Sequence, residues 1–405
     1  MITRRLVWCL GISQLVCWGI SYYAIGAFGD LIAGELGWSP SRVYGGFSAA
    51  LVVMGLSSPL AGRLVDRYGG RPVMTAGSGL TAIGCAALGL SRGPLSYYAA
   101  WLCLGLAMRL TLYEAAFAAL ARIGGPLARR PISQITLLGG LASTVFWPIG
   151  HALAEHFGWR SALLAYAGIA LLTIPLHLAI PRGRFQPEPA KGAGGEGAPI
   201  AGRGRQLLAA SLYAAIMTLA NFLNSGMSAH MIPILADLGL AAATAVWIAT
   251  LRGIGQSAAR LCEVVFGARV HPLDLNLLAT ALLPTCFIAG LFGGRFIAAA
   301  VAFAFVYGAG NGVVTITRGT LPLVLFDPRI YGSFVGKLLV PSFLLSALAP
   351  LVYAFVIERF GDRAALDMST GLAFLMLAAA VILRLRFAPS AQRASRGQIG
   401  RRSLR

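Results

Sequence analysis

Residues 62–71 read Gly62-Arg63-Leu64-Val65-Asp66-Arg67-Tyr68-Gly69-Gly70-Arg71, a polar and basic stretch that separates two long apolar runs. Its glycines permit a tight turn and close contact between neighbouring helices. The Asp66 carboxylate can accept hydrogen bonds from Arg67, from Arg71 or from the N-terminus of another helix. The stretch therefore predicts a loop that ties the two flanking segments to a partner.

A degenerate copy of this stretch, one residue longer, lies at 259–269 and reads ARLCEVVFGAR. It also separates two apolar runs, which indicates that the chain is an internal repeat of two related halves. Both copies are predicted to hold the conformation of the protein, and on their own they do not identify a ligand. The predicted conformational motif comprises Gly62, Asp66, Arg67, Gly69, Arg71, Arg260, Glu263 and Arg269.

Apolar runs dominate the whole chain of 405 residues, which is 57% hydrophobic and only 12% charged. Each run has roughly 19 to 25 residues, enough for a helix to cross the hydrocarbon layer, whereas barrel strands would be roughly ten-residue alternating segments. The predicted spans are 6–28, 43–61, 73–91, 96–120, 134–154, 161–180, 207–229, 243–262, 273–292, 296–317, 332–356 and 365–386. The sequence therefore predicts an all-α membrane protein with twelve transmembrane helices in two pseudo-symmetric six-helix bundles.

The positive charge follows the connections between these spans. If the N-terminus is cytoplasmic, 24 of the 33 Lys and Arg residues lie in cytoplasmic connections and tails or at the cytoplasmic ends of spans, six lie outside, and three lie well within spans. This fourfold asymmetry satisfies the positive-inside rule and predicts that both termini are cytoplasmic, in the cytoplasmic (cell inner) membrane. The net charge of +19 thus comes from short loops, not from a nucleic-acid-binding domain.

Composition divides the chain into four parts. The predicted bundles are 1–180 and 207–386, and the linker between them at 181–206 is rich in Gly, Pro and charge, so it cannot bury a core. The basic tail at 387–405 is expected to lie near anionic headgroups and has no predicted part in transport.

The stretch at 62–71 closely resembles the GxLxDRxGRR signature of the major facilitator superfamily, which lies between helices two and three. The resemblance covers 1–386. It implies a transporter that works by alternating access, and it implies that breaking the Asp66 contacts biases the outward-facing and inward-facing states. Arg109 stands where this superfamily often carries an arginine in helix four, a position that the resemblance links to proton coupling or substrate contact.

Charged side chains within spans need a partner, a wet cavity or a function, because each costs about 2.5 to 3.5 kcal/mol at mid-span. Arg109 and Glu114 lie in span four and project about 140° apart on an ideal helix, so a direct pair is expected to be strained. Glu114 is either a proton-carrying group or a structural counter-ion. Arg318 is expected to lie at the cytoplasmic end of span ten and to snorkel.

Arg252 in span eight is the strongest candidate for cargo binding. With Gln256 and Arg260 it forms a polar stripe, and its guanidinium presents a planar fork suited to a carboxylate. Lys337 in span eleven can add a point charge. The alternative is a packing ion pair, for which Glu114 is the available acid. Three cations within spans against one anion favour an anionic substrate.

This arrangement resembles the oxalate/formate exchangers and monocarboxylate transporters of the superfamily, which place a cation in helix eight and, in the former, a lysine in helix eleven. The segment Gly37-Trp38-Ser39-Pro40-Ser41-Arg42 also looks like that branch. Polar residues that share faces of spans add candidates for substrate contact or for bonds between helices. The predicted substrate-binding residues are Arg252, Lys337, Arg109, Tyr22, Asn221, Asn224, Gln256 and Asn311.

The sequence thus predicts a proton-coupled or exchange transporter of a small organic anion, a monocarboxylate first among these, with Glu114 as the proton-coupling residue. The alternative is a drug or metalloid efflux pump of the same superfamily, which the many aromatic residues would suit. No acid, His or Cys cluster has catalytic or metal-ligand spacing, so we expect neither an enzyme nor a bound cofactor or metal. The expected partners are the substrate, protons or a counter-substrate, and the lipid bilayer, around a monomer.

Overall fold

The computed structural model describes residues 2–185, 202–267 and 270–388, and these ranges are almost entirely helical. Arg269 of the predicted motif, residues 186–201 of the predicted linker and residues 389–405 of the predicted tail lie outside the described residues.

The first half consists of nine α-helices and two short turns of other helix types. They are α1 (Arg4–Cys17), a π-helical turn (Trp18–Tyr22), α2 (Ala24–Leu36), α3 (Pro40–Leu56), α4 (Ser58–Tyr68), α5 (Gly70–Gly89), α6 (Pro94–Thr111), α7 (Tyr113–Gly124), a 3-10 turn (Gly125–Ala128), α8 (Arg129–Gly139) and α9 (Ala142–Leu178). The second half consists of α10 (Arg203–Asp237), α11 (Ala242–Phe266), α12 (Pro272–Gly290), α13 (Ile297–Leu325), a 3-10 turn (Pro328–Ile330), α14 (Tyr331–Leu338), α15 (Val340–Phe360) and α16 (Asp362–Phe387).

These helices form twelve passes within the described residues. Eight helical runs are long and apolar enough to cross a membrane, and α3 and α4, which meet at 50°, make a ninth. One of the eight runs, 94–178, contains three passes, because the chain turns back at the 3-10 turn and again at Gly158, whose φ is 75°. The twelfth pass is α11, which is more polar because it carries Arg252, Gln256 and Arg260. The predicted twelve-helix fold is confirmed.

Large apolar side chains cover the outer faces of the passes. Examples that are more than half exposed are Trp8, Ile83, Leu172, Leu348 and Leu385. Such a surface suits hydrocarbon, because lipid tails are as apolar as the side chains themselves. The chain is therefore a multi-pass membrane protein.

The predicted loop at 62–71 is mostly helical instead. Helix α4 continues to Tyr68, so Asp66 and Arg67 are helical residues, and the turn is reduced to Gly69, whose φ is 87°. A positive φ of this size is accessible to glycine at little cost. The helix extends past the predicted span because this part of it packs against the second half, which hydropathy cannot report.

Small residues let α4 and α14 approach each other closely. A Cβ added at Gly62 would lie 1.9 Å from the carbonyl oxygen of Gly332, and a Cβ added at Gly336 would lie 2.6 Å from that of Ser58. The Ser58 hydroxyl also donates a hydrogen bond of 2.7 Å to the Gly336 carbonyl. The two halves are thus joined by backbone packing at this seam, as small residues allow in membrane helices.

We predict that Gly62→Ala opens this seam. The new methyl group needs α4 and α14 to separate by about 1.5 Å to reach ordinary contact. Spin labels at the exposed positions 67 and 329, in a chain whose native cysteines are replaced, should gain a dominant longer-distance population in this variant. Gly79→Ala is the matched control, because a Cβ at Gly79 meets nothing within 4 Å. Unchanged distances in Gly62→Ala would refute the role of the seam.

Asp66 stabilises the same α4–α14 contact by capping the N-terminus of α14. Its carboxylate accepts hydrogen bonds from the backbone N–H groups of Gly332 at 2.9 Å and Ser333 at 2.6 Å, at the start of α14. A carboxylate at a helix N-terminus satisfies free donors and complements the helix dipole. Of the three partners expected for Asp66 from the sequence, its carboxylate binds the N-terminus of another helix. Arg67 and Arg71 form no hydrogen bond or ion pair with a described residue.

The second copy of the motif makes the pseudo-symmetric contact between α11 and α8. Arg129, the first residue of α8, donates to the carbonyl of Gly267 at 2.8 Å and to that of Val270, just beyond the end of α11. Glu263 of α11 is buried beside Ser133 of α8 and within electrostatic reach of Arg129. Each half thus holds the start of a helix from the other half.

Contacts between the halves are concentrated on one side of the molecule. Arg260, which is buried, donates to the Thr136 carbonyl at 3.2 Å and adds to the α11–α8 contact. Within the described residues, every hydrogen bond between the halves lies between the middle of the helices and the end at which α1 begins and α16 ends. The hydrogen bonds that join the halves therefore lie toward the end that carries the chain termini.

Candidate functional site

The fourth pass breaks at Leu112, and this break aims Glu114 at Arg109. Leu112 has extended backbone angles (φ −79°, ψ −171°) between α6 and α7. Gln14 stabilises the break, because its side-chain amide donates a hydrogen bond of 2.8 Å to the Thr111 carbonyl. The guanidinium Nη1 of Arg109 then lies 3.3 Å from Oε2 of Glu114, and both side chains are at most 5% exposed. The expectation of a strained pair, which assumed an ideal helix, is wrong.

Arg318 is a second partner of Glu114, contributed by the other half. Helix α13 runs to Leu325, so Arg318 lies well inside the pass, and its side chain is only 13% exposed. Its Nη1 lies 3.5 Å from Oε1 of Glu114. The expectation that this side chain snorkels at a helix end is wrong, because a carboxylate from the facing half stabilises its charge in the interior.

The polar chain continues from Arg318 into the second half. Arg318 donates through Nη2 to Oδ1 of Asn221, and the Asn221 amide donates to the Ser342 hydroxyl at 2.5 Å. We call Arg109, Glu114, Arg318, Asn221 and Ser342 the Glu114 network. It contains two guanidinium groups and one carboxylate, so it carries a net charge of +1 when Glu114 is ionised.

A small cavity adjoins this network. Its volume is about 10 Å³, counted as the space that the centre of a water molecule can occupy. It is lined by Arg109, Glu114, Gly62, Gly332 and Tyr331, among others. Nε of Arg109 is buried and has no hydrogen-bond partner among the described residues. The volume is close to what a single water needs, and such a water would satisfy this donor. The cavity links the Glu114 network to the α4–α14 seam.

Arg252 stands apart from the Glu114 network and has only neutral partners. Its Nη2 donates to Oδ1 of Asn224 at 2.7 Å and to the Ser228 hydroxyl at 2.9 Å, and its guanidinium lies 5.2 Å from the centre of the Tyr307 ring. Asn311 donates to the same Asn224 oxygen at 2.8 Å. We call these five residues the Arg252 cluster.

The Arg252 guanidinium has unused hydrogen-bonding capacity. Its Nε and Nη1 form no hydrogen bond with a described residue, and within the described ranges it forms no ion pair with a carboxylate. The side chain is half-buried. The free Nε–H and Nη1–H groups can therefore donate charge-assisted hydrogen bonds to an anion such as a carboxylate.

The other predicted residues divide into two groups. Asn221, Asn224, Asn311 and Arg109 take part in the two assemblies above, whereas Gln256 and Lys337 do not. The Gln256 backbone carbonyl instead packs against Gly312 of α13, and a Cβ there would lie 2.7 Å from it. Lys337 is exposed and has no hydrogen bond or ion pair with a described residue. Its predicted part in substrate contact stays a prediction.

An aromatic cluster lies in the first half, and sequence reasoning identified only Tyr22 of it. The cluster surrounds the π-helical turn and consists of Trp18, Tyr22, Tyr23, Phe47, Tyr113 and Trp147. The positive charges of Arg252 and Arg318 act on Tyr22 across the interface between the halves. The available signal was the run WGISYY at 18–23, in which positions 18 and 22 are four apart and therefore share a face.

Comparison with known proteins agrees with this architecture. Residues 10–220, just over half of the chain, match the sequence profile of the Major Facilitator Superfamily. The chain is 24% identical over 339 residues to Monocarboxylate transporter 11 of Mus musculus, which covers 78% of this chain and 72% of that protein. It is 30% identical over 181 residues to Multidrug resistance protein MdtL of Shigella flexneri, which covers 44% of this chain and 45% of that protein.

The fold also matches solved structures. The crystal structure of the human organic anion transporter MFSD10 superimposes with a TM-score of 0.71 at 21% identity, over 93% of this chain and 99% of that one. This likeness concerns the fold. The resemblance to the superfamily and to its monocarboxylate transporters, predicted from the sequence, is confirmed.

Proposed function

The chain belongs to the Major Facilitator Superfamily, and from this premise we propose that it is a secondary active transporter of small organic anions, monocarboxylates first among them. It carries them across the cytoplasmic membrane by alternating access between its two halves. The termini lie in the cytoplasm, as the distribution of Lys and Arg supports, so the hydrogen bonds that join the halves lie toward the cytoplasmic side.

The free donors of Arg252, Nε and Nη1, are the observation that carries this proposal. A cation at mid-membrane needs compensation, and the partners of Arg252 among the described residues are neutral. A carboxylate beside the guanidinium supplies the missing charge and accepts a hydrogen bond from Nε or Nη1. The similarity to a monocarboxylate transporter points to the same class of cargo.

Glu114 supports the proposal of proton coupling. Its carboxylate joins the halves by accepting from Arg318, so protonation removes one of the charges that hold them together. Substrate binding at Arg252 and proton binding at Glu114 would then act on the same interface. If the protein works as an exchanger, a second anion takes the place of the proton. Binding of that anion then allows the two halves, once the first substrate has left, to rock against each other.

Efflux of drugs is the second candidate function, because the chain is similar to Multidrug resistance protein MdtL and carries an aromatic cluster. The two functions differ in the charge of the cargo. An uncompensated guanidinium in an aromatic cavity would repel lipophilic cations. Arg252 therefore favours the anion transporter.

We predict that purified protein in proteoliposomes takes up radiolabelled lactate, pyruvate or acetate at least about tenfold faster than protein-free liposomes do, a factor that corresponds to about 1.4 kcal/mol. The same vesicles should take up neither a lipophilic cationic dye nor arsenite above background. Uptake of the dye or of arsenite, with none of the carboxylates moved, would replace the proposal by the efflux pump.

A further inference from the structure

A groove on the outer surface of the second half lies between α12 and α16, apart from the Glu114 network and the Arg252 cluster. We propose that this groove binds one phospholipid with a primary-amine headgroup, of the phosphatidylethanolamine type. One acyl chain lies in the groove, and the headgroup lies on an ion pair at its end. This site is on the lipid-facing surface and does not depend on the identity of the cargo.

Five apolar side chains line the groove, which has a volume of about 550 Å³. Leu277, Leu278 and Ala281 come from one face of α12, and Val381 and Leu385 come from one face of α16, since residues three or four apart are neighbours on a helix. Leu278 is 56% exposed and Leu385 is 74% exposed. The groove is therefore open toward the lipid and suits a hydrocarbon chain.

An ion pair completes the lining at one end of the groove. Arg384 of α16 donates through Nε to Oδ1 of Asp274 of α12, and the two side chains are 40% and 42% exposed. Asp274 comes three residues before Leu277 and Arg384 comes three residues after Val381, so the pair continues the same two helix faces. It lies toward the start of α12 and the end of α16.

The length of α12 places this pair at the depth of lipid headgroups. The helix has 19 residues and is therefore about 28 Å long, close to the thickness of about 30 Å of the hydrocarbon layer. Asp274, its third residue, then lies near the boundary of that layer, and Ala281 lies about 10 Å deeper. The distribution of Lys and Arg assigns this boundary to the cytoplasmic leaflet. A phospholipid of that leaflet can thus place its headgroup on the pair and its chain in the groove.

The ion pair leaves groups of both charges free for a headgroup. Nη1 and Nη2 of Arg384 and Oδ2 of Asp274 form no hydrogen bond with a described residue. The guanidinium donors suit a phosphate, and the carboxylate oxygen can accept a charge-assisted hydrogen bond from an ammonium group. One phosphate and one primary ammonium are therefore recognised together.

The charge of the pair distinguishes among common headgroups. Because Arg384 and Asp274 together carry no net charge, a zwitterion complements them better than an anion does. A choline headgroup is also a zwitterion, but its methylated nitrogen has no N–H to donate. Phosphatidylglycerol has no ammonium, so it would place an uncompensated phosphate beside a carboxylate. Arg386 does not change this balance, because it lies about 200° around the helix from Arg384.

Native mass spectrometry of the purified protein tests the proposal with an equimolar mixture of phosphatidylethanolamine, phosphatidylcholine and phosphatidylglycerol that carry the same acyl chains. The wild type should retain one phosphatidylethanolamine per chain, at a level about tenfold above either other lipid. Asp274→Asn should reduce the preference over phosphatidylcholine to about threefold or less, because a neutral acceptor binds the ammonium more weakly. Asp367→Asn is the matched control, since Asp367 is exposed on α16 and has no hydrogen bond or ion pair with a described residue.

A second variant tests the groove separately from the ion pair. Ala281→Trp fills the inner end of the groove and keeps both charges, so retention of all three lipids should fall at least about tenfold as the acyl chain loses its contacts. Leu172→Trp is the matched control, because Leu172 is 69% exposed on the outer face of α9. If Asp274→Asn does not fold, Ala281→Trp decides.

Four results would overturn the proposal. Equal retention of the three lipids, or a preference that survives Asp274→Asn, would mean that lipid forms only an unselective shell around the protein. Stronger retention of phosphatidylglycerol would indicate a site for anionic lipid instead. Retention that is unchanged in Ala281→Trp would place the lipid elsewhere. A dimer that Ala281→Trp disperses would assign the groove to a second copy of this chain.

Discussion

Replacing Arg252 by glutamine is expected to lower the initial rate of carboxylate uptake, at substrate concentrations below KM, by about 10- to 100-fold. The variant keeps a polar side chain, but this chain is shorter than that of arginine, and it loses the charge together with the donors that Arg252 offers to Asn224 and to a carboxylate. Hydrogen bonds to charged groups contribute about 1.5 to 3 kcal/mol each, and this range corresponds to the expected loss. Uptake of labelled carboxylate into proteoliposomes is the measurement.

Two further variants make this result specific. Arg252→Lys keeps a point charge without the planar fork, so it should retain an intermediate rate. Arg92→Gln removes an exposed arginine that has no hydrogen bond or ion pair with a described residue, and it should transport like the wild type. Uptake by Arg252→Gln that equals the wild type would mean that the anion binds elsewhere.

Glu114→Gln is expected to abolish accumulation of substrate driven by a pH gradient and to leave exchange of internal for external substrate within about threefold of the wild type. The amide mimics the protonated acid in shape and charge, so it cannot bind and release a proton. Its oxygen can still accept from Arg318, which keeps the hydrogen bond between the halves, and Arg109 stays beside it. Both quantities can be measured in the same proteoliposomes, with and without an imposed gradient.

The folding stability of the Glu114→Gln variant must be measured together with its transport. Removing one partner of a buried ion pair costs about 3 to 5 kcal/mol when the other charge is left unpaired. Glu155→Gln is the control, since its carboxylate is exposed and its one ion pair with a described residue is with His151, four residues away. A normal gradient-driven accumulation by Glu114→Gln would assign Glu114 to a purely structural role.

Apolar run length and charge asymmetry were sufficient to predict the twelve passes and their order, because each pass is long and its signal is local. The ends of the spans were harder to predict. The tenth span was predicted to stop at 317, where Arg318 interrupts the apolar run, yet α13 continues to Leu325. The charge is tolerated inside the membrane because Glu114 comes from another helix, and no window along the sequence contains that information.

The break in the fourth pass was not predictable for a similar reason. Residues 109–114 contain neither glycine nor proline, the usual signals of an interrupted helix. The break is stabilised by Gln14, from a distant part of the chain. The candidate residues Arg109, Glu114 and Arg252 could be named from composition alone, since charge is so rare in the spans. Their pairing, and the aromatic cluster built by four passes, required the fold.

The account depends most on the claim that an organic anion binds between the halves at Arg252, and counterflow tests that claim without assuming any coupling mechanism. Proteoliposomes loaded with a high concentration of unlabelled benzoate or lactate are diluted into trace amounts of the labelled acid. We predict a transient accumulation of label with the wild type and with Arg92→Gln, and none with Arg252→Gln. Absence of counterflow for every carboxylate with the wild type, or equal counterflow with Arg252→Gln, would contradict the account.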